Sequence, residues 1–425
     1  MTPGLLRLVT AGSVDDGKST LVGRLLYDTK SVLSDQLDAL ARTSASRGES
    51  DPDLALLVDG LRAEREQGIT IDVAYRYFGT PRRTFVLADT PGHVQYTRNT
   101  VTGASTADHA VLLTDARKGV LPQTKRHLAV MALLGVPSLT LAVNKLDLVD
   151  FAEDVFVDVR DAFLACAEGL GYAADAVTAV PLSALTGENV VTRSERTPWY
   201  DGPTLLERLE TVTPPAQDGA SLRFPVQYVI RNPSDDYRGY AGQVAAGSVS
   251  TGDEVVVLPA GTRTRVEQIV SPDGPVPTAA EGAPVSLVLG DELDISRGDL
   301  IASAADPPQT TSELDAAVCW LTDSPLEAGA TLLLQHATRT VPAKVLDVLS
   351  RFDEQEHADV PAAEGLRLNE IGRVRIRTAE PLPVDDYSVC RLTGAFLLID
   401  GASGDTVGAG MLGARLPVDR PASAA

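Results

Sequence analysis

Eight residues near the start of the chain, Gly12-Ser13-Val14-Asp15-Asp16-Gly17-Lys18-Ser19, satisfy the pattern GxxxxGK[ST]. The glycines let the backbone curl until its N–H groups face an anion, and the N-terminus of a following helix adds a favourable dipole. Lys18 then reaches terminal phosphates, the Ser19 hydroxyl is a hard ligand for Mg²⁺, and Thr20 carries the run into the helix. A second segment, Asp89-Thr90-Pro91-Gly92-His93, follows the apolar run Phe85–Ala88. An aspartate at a strand end holds Mg²⁺, usually through water, and the Gly92 N–H can contact a γ-phosphate. His93 comes directly after that glycine and suits a side chain that orients attacking water. His109, His127, His336 and His357 read instead as structural or surface histidines.

The third segment, Asn144-Lys145-Leu146-Asp147, again closes an apolar run. The Asp147 carboxylate can accept from guanine N1–H and its 2-amino group together, a donor pair that adenine lacks, while Asn144 and the Lys145 stem frame the base. Two softer segments complete the set. Thr70, in Gln67-Gly68-Ile69-Thr70-Ile71, can ligate Mg²⁺ and sense the γ-phosphate, and Ser183-Ala184-Leu185 can close over the guanine. The order and spacing point to GTP as ligand and to its hydrolysis. Mg²⁺ would be held by Ser19, Thr70 and Asp89, and the reacting end served by Lys18, Thr70 and His93. Transfer of a phosphoryl group to water is mostly positioning and charge neutralisation.

Those segments need a scaffold that brings them to one edge. Over residues 5–213, β-sized apolar runs (Leu5–Ala11, Thr84–Ala88, Ala110–Thr114, Leu139–Val143, Val177–Leu182) alternate with helical stretches at Ser19–Tyr27, Gln123–Leu134 and Phe151–Leu170. This predicts a P-loop α/β domain, its mainly parallel sheet covered by helices on both faces, with ligands at the carboxyl ends of the strands. Between the P-loop and Thr70, Ser34–Arg42 and Leu54–Glu66 look helical, in a stretch suited to a nucleotide-ordered switch. After Thr213-Pro214-Pro215 the pattern becomes short strands split by glycine turns, including Phe224–Ile230, Gln243–Val249 and Val285–Leu289, then Ala316–Leu321, Thr340–Leu349 and Tyr387–Leu392. The expected division is an α/β domain over 1–213, a β-barrel over 214–311 and a second β-barrel over 312–425 that ends in a frayed tail.

Composition narrows the class. The 425 residues carry a formal net charge of -21 and no Lys/Arg run longer than Arg82-Arg83, which disfavours nucleic acid as a partner. Cys166, Cys319 and Cys390 lie far apart and read as reduced core thiols. The N-terminal residues lack a signal-peptide pattern and no apolar run is long enough to span a membrane, so a cytoplasmic protein with no membrane partner is expected.

Beyond these signals, longer stretches resemble the large-subunit family of sulfate adenylyltransferase, within the elongation factor Tu class. The likeness is carried by GSVDDGKSTLVGRLLYD at 12–28, DLALLVDGLRAEREQGITIDVAYRYF at 53–78 and ADTPGHVQYTRNTVTGASTADHAVLLTDARKGVLPQT at 88–124. It continues in PWYDGPTLLE at 198–207, RFPVQYVIRNPSDDYRGYAGQV at 223–244, LNEIGRVRI at 368–376 and TVGAGM at 406–411. Asp16 separates two readings, because elongation factor Tu usually has histidine there. The resemblance implies a heteromeric enzyme in which this chain hydrolyses GTP while a small subunit transfers AMP from ATP to sulfate. An adenylylsulfate kinase, fused in some members, would come from a separate chain, since the sequence holds no second GxxxxGK[ST]. The competing reading is a translation-type carrier of aminoacyl-tRNA.

Overall fold

The computed structural model describes residues 4–32, 54–58, 72–93, 96–213, 220–232, 237–353, 358–362 and 364–413. Thr70, Ser34–Arg42, most of Leu54–Glu66 and the expected frayed tail lie outside them. The chain divides into two compact units, one over residues 1–215 and the other taking most of 216–416.

The first unit is an α/β sandwich. Its elements are β1 (Gly4–Gly12), α1 (Lys18–Asp28), β2 (Ala74–Gly79), β3 (Arg83–Asp89), α2 (Thr97–Ala104) and β4 (His109–Asp115). They continue with α3 (Pro122–Leu133), β5 (Leu139–Asn144), α4 (Glu153–Gly169), β6 (Val177–Pro181) and α5 (Leu205–Thr211). The sheet order is β2-β3-β1-β4-β5-β6, parallel except for β2, which runs antiparallel to β3. Every residue of β4 and β5 is buried, as expected for central parallel strands covered on both faces. Because β1 pairs with β3 on one side and β4 on the other, the chain reverses direction across the sheet there, and a crevice opens beyond the carboxyl ends.

The 3₁₀ turn Leu54–Leu57 is pinned to α1. A Cβ on Gly23 would lie 2.1 Å from the Leu54 carbonyl oxygen, so only glycine allows this crossing. Leu26, Val58 and Phe78 join the same buried cluster as Leu6, Leu8 and Phe85. At the other end of the unit, Thr204 caps α5 by accepting from the Glu207 N–H at 3.2 Å, while Glu207 accepts from the Thr204 N–H at 2.8 Å.

The second unit holds two closed barrels. The first is built from β7 (Arg223–Asn232), β8 (Tyr237–Gln243), β9 (Ser248–Ser250), β10 (Glu254–Leu258), β11 (Thr262–Ser271), β12 (Gly274–Val276), β13 (Thr278–Ala280), β14 (Pro284–Leu289) and β15 (Leu300–Ser303). Its wall runs β10-β15-β7-β8-β14-β11 and closes through β10–β11 pairing. The second comprises β16 (Gln309–Trp320), β17 (Thr331–His336), β18 (Arg339–Asp353), β19 (Ala358–Val360), β20 (Ile371–Val384), β21 (Ala395–Ile399) and β22 (Thr406–Leu412). It closes through β17–β18. Between the barrels, the buried Arg223 guanidinium grips Asp385 with two bonds of 2.8 Å, and Thr393 donates to the same carboxylate at 2.6 Å.

Two local expectations fail. Tyr387–Leu392 is a turn rather than a strand, with the Val389 and Cys390 N–H groups donating to the Asp386 carbonyl. Gln243–Val249 is not one strand either, because the chain leaves the ladder after Gln243 and re-enters at Ser248.

Candidate functional site

Five segments reach the same edge of the first unit because each follows a parallel strand: Gly12–Thr20 after β1, Asp89–His93 after β3, Asp115–Lys118 after β4, Asn144–Asp147 after β5 and Ser183–Leu185 after β6. Within the first, Gly17 caps α1 at φ 89°, and a Cβ there would meet the Asn144 amide nitrogen at 2.5 Å. Only glycine supplies both the conformation and the clearance. The Lys18 ammonium folds back into its own loop, donating to the Gly12 and Ser13 carbonyls at 2.8 and 2.9 Å. Burial lowers its pKa, while the carboxylates of Asp89, Asp16 and Asp15 favour the charged form.

Asp16 points inward and is 1% exposed. One of its oxygens accepts from the Ser13 N–H at 2.7 Å, and the other is buried with no partner among the described residues. Burial raises its pKa, against the opposing hydrogen bond from Ser13 and the charge of Lys18. Val14, Ser19 and Thr20 stay half-buried along the rim, and Asp15 is exposed.

Asp89 is fully buried and accepts from the Thr10 hydroxyl at 2.9 Å, while the Thr90 hydroxyl donates to the Thr10 carbonyl at 2.7 Å. This pair locks β1 to the start of the second segment. Pro91 and Gly92 are buried behind it. A Cβ on Gly92 would come within 2.4 Å of the Lys18 ammonium and 2.6 Å of the Gly12 carbonyl, so the two phosphate-facing loops touch at this glycine. His93 is exposed, its ring 6.1 Å from that of Tyr96.

On the far side, Asn144 is the tie. Its amide donates to the Asp16 carbonyl at 2.8 Å and accepts from the Ala184 N–H at 2.9 Å, joining three segments through one buried side chain. Lys145, at φ 63°, donates to the Asp15 carbonyl. Leu146 turns into the core and contributes through its backbone, donating to the Leu182 carbonyl at 3.3 Å. One oxygen of Asp147 is buried and has no hydrogen-bond partner among the described residues. Ser183 is buried and Leu185 is 68% exposed.

Two residues outside the motifs belong to this site. Asp115 accepts from the Arg117 backbone and guanidinium at 3.0, 3.0 and 2.7 Å, and its carboxylate lies 3.2 Å from the Lys145 ammonium. Burial would raise its pKa, but the Arg117 and Lys145 bonds outweigh that and hold it well below the carboxylate range. Arg24, on α1, donates to the Ala184 carbonyl at 3.1 Å and to that of Leu185. A strand-ending aspartate two residues before an arginine was a usable sequence signal for the first; nothing in the spacing marks the second.

A glycine-lined loop opening a helix, a buried lysine folded into it and the Asn144–Asp147 segment beside it, set at the switch point of a parallel sheet and followed by two closed barrels, define a P-loop GTP-binding protein of the translation-factor type. Residues 4–215 match the elongation factor Tu GTP binding domain, and residues 313–413 match the GTP-eEF1A C-terminal domain-like family. A bifunctional enzyme CysN/CysC of Mycobacterium tuberculosis is 52% identical over 96% of this chain and 67% of its own length. Sulfate adenylyltransferase subunit 1 of Laribacter hongkongensis is 49% identical over 97% of this chain and 85% of its own. The same subunit of Citrobacter koseri is 49% identical, over 99% and 88%. The chain belongs to the sulfate adenylyltransferase subunit 1 family.

Proposed function

We propose that this chain is the GTP-hydrolysing, energy-coupling subunit of a sulfate adenylyltransferase. Its GTP turnover would drive the transfer of AMP from ATP to sulfate on a separate small subunit, forming adenosine 5′-phosphosulfate and pyrophosphate. The observation that carries the GTPase part is the convergence on one sheet edge of the Lys18 ammonium, the Gly92 backbone and the unpartnered Asp147 oxygen. The coupling to sulfate is supported by identity near 50% with proteins named as subunit 1, across nearly the whole chain. A mixed sulfuric–phosphoric anhydride lies far uphill of ATP and sulfate, which is the chemical reason for a second nucleotide.

In this reading the loop N–H groups from Asp15 to Thr20 and the α1 N-terminus bind the phosphates. Lys18 neutralises charge on the β–γ bridge, the Gly92 N–H faces the γ-phosphate and His93 orients water for in-line attack. Asp147 selects guanine. Mg²⁺ fits two of the expected donors: the half-buried Ser19 hydroxyl sits on the first turn of α1, and the buried Asp89 carboxylate is fixed by Thr10; Thr70, outside the described residues, is proposed as the third from its sequence position alone. The ion would offset negative charge on the phosphates. We place the protein in the cytoplasm, with the small adenylyl-transferring subunit as partner and, where one associates, a separate adenylylsulfate kinase. Among the described residues no helix is long and apolar enough to cross a membrane.

The test is to co-express the chain with a small subunit and measure pyrophosphate release from ATP with and without sulfate and GTP. Release that needs sulfate and rises with GTP supports the proposal. GTP turnover that ignores ATP and sulfate but is stimulated by ribosomes would instead make the chain an aminoacyl-tRNA carrier.

A further inference from the structure

Arg24 lies two turns into α1, outside every nucleotide motif, with its side chain 19% exposed. Its guanidinium donates through Nε to the Ala184 carbonyl at 3.1 Å and through Nη2 to the Leu185 carbonyl. The stem passes Gly187, where φ is +86° and a Cβ would meet Arg24 Cδ at 3.6 Å. Asp28, one turn on, lies 3.7 Å from the guanidinium and steadies it. The planar fork of arginine suits two successive carbonyls, as a lysine does not.

These bonds set the direction of a group that Arg24 does not touch. In a trans peptide the C=O and the next N–H point opposite ways. With the Ala184 carbonyl turned to α1, the Leu185 N–H points away from it. That N–H has no hydrogen-bond partner among the described residues. The neighbouring amides are engaged: Ala184 donates to Asn144 at 2.9 Å and Thr186 to the Ser183 hydroxyl at 3.3 Å. The loop is therefore gripped on one side by Asn144 and on the other by Arg24, and presents a single free donor between them.

We infer that Arg24 is a positioning residue for base selection, holding the Leu185 N–H toward the 6-keto oxygen of the purine. This rests on the guanine reading above and adds a second determinant to Asp147. Asp147 reads the N1–H and 2-amino edge, whereas the Arg24-held loop reads position 6, where adenine presents an amino donor that would oppose the N–H.

The experiment uses the full chain and equilibrium displacement of a fluorescent GDP by three diphosphates. These are GDP, inosine diphosphate (6-keto and N1–H kept, 2-amino lost) and 2-aminopurine riboside diphosphate (2-amino kept, 6-keto and N1–H lost); the N1–H loss at Asp147 is common to wild type and variant and cancels in the change of ratio. In Arg24→Ala, the preference for GDP over the 2-aminopurine nucleotide should fall about tenfold, the scale of one well-placed hydrogen bond. The preference for GDP over inosine diphosphate should stay within about twofold, and Arg24→Lys should fall between wild type and alanine. Equal weakening of all three nucleotides would make Arg24 merely structural and overturn the inference, as would no change at all. Should the alanine variant not fold, Arg24→Lys alone decides on the same two ratios. A wild-type chain that does not prefer GDP to ADP would sink the guanine reading itself, whatever Arg24 does.

Discussion

Asn144→Ala tests whether the nucleotide site is a single tied unit. Asn144 is 2% exposed and makes two hydrogen bonds, to the Asp16 carbonyl in the anion loop and from the Ala184 N–H in the base loop, at 2.8 and 2.9 Å. Removing the side chain loses both and strands two backbone groups against a closed site, at about 1–2 kcal/mol each. In the empty protein the loops can relax toward water, so most of that cost falls on the bound state. The affinity for GDP should drop by roughly 30- to 700-fold, from about 2–4 kcal/mol at about 1.4 kcal/mol per decade. The assay is fluorescent GDP titration and dissociation, with thermal unfolding of the nucleotide-free protein alongside. The faster dissociation should dominate, because the tie holds loops that must open for release. A loss below threefold would refute the reasoning, as would an unfolding shift large enough to account for the whole effect.

Asp147→Asn should move preference from guanosine toward xanthosine nucleotides by about 10²-fold, the value of a paired charge-assisted contact; competition between GTP and XTP measures it, and an unchanged GTP preference counts against Asp147. His93→Ala should slow single-turnover hydrolysis about 10²-fold while GTP affinity stays within threefold, and a large affinity loss would show that His93 binds rather than orients. Buried His109, bonded to the Ser138 and Thr140 hydroxyls at 2.7 and 2.9 Å, has its pKa pushed down to about 3 by burial and by Arg208. The unfolded chain then binds one more proton between about pH 6.5 and 3, so this contribution is present above pH 6.5 and is lost as pH falls, at about 1.4 kcal/mol per unit. His109→Gln should flatten the pH dependence of urea unfolding by that slope, and an unaltered slope would refute it. Arg223→Met should cost about 3–5 kcal/mol, because Asp385 is left buried and unpaired; a chemical-denaturation midpoint within error of wild type would show the ion pair to be dispensable.

How much of this was legible in the sequence depended on the range of the interaction. The anion loop was readable because its glycines answer local needs: Gly17 must hold φ 89°, and a strand–loop–helix order surrounds it. The strands that end in Asp115 and Asn144 were readable as apolar runs because they are central and buried on both faces. β2 was not, since Tyr75 and Tyr77 alternate with inward residues on an edge strand and remain 44% and 69% exposed. Tyr387–Leu392 misled for the converse reason. Its four apolar residues make a β-sized run, but only Tyr387 and Cys390, three apart, are buried, on the inner side of a turn closed by Asp386, while Val389 and Leu392 are exposed. Arg24 was beyond reach, its partners lying 160 and 161 positions away.

The same distinction explains why the GTP site and its purpose rest on different supports. Each phosphate- or base-facing residue acts on an atom whose chemistry is general to purine nucleotides, so residue type and spacing suffice to propose it. What the hydrolysis drives is set by a partner surface, and no residue type marks such a surface by itself. Asp16 shows where the two meet. It lies inside the anion loop, where phosphate binding alone would call for no carboxylate, yet it is buried, bonded to the Ser13 N–H and close to Lys18. The Asp16 carboxylate ties the Ser13 N–H at the start of the loop and sets its charge against that of Lys18. The carboxylate thus shapes the anion loop from within, at a position where the sequence departs from the elongation factor Tu pattern.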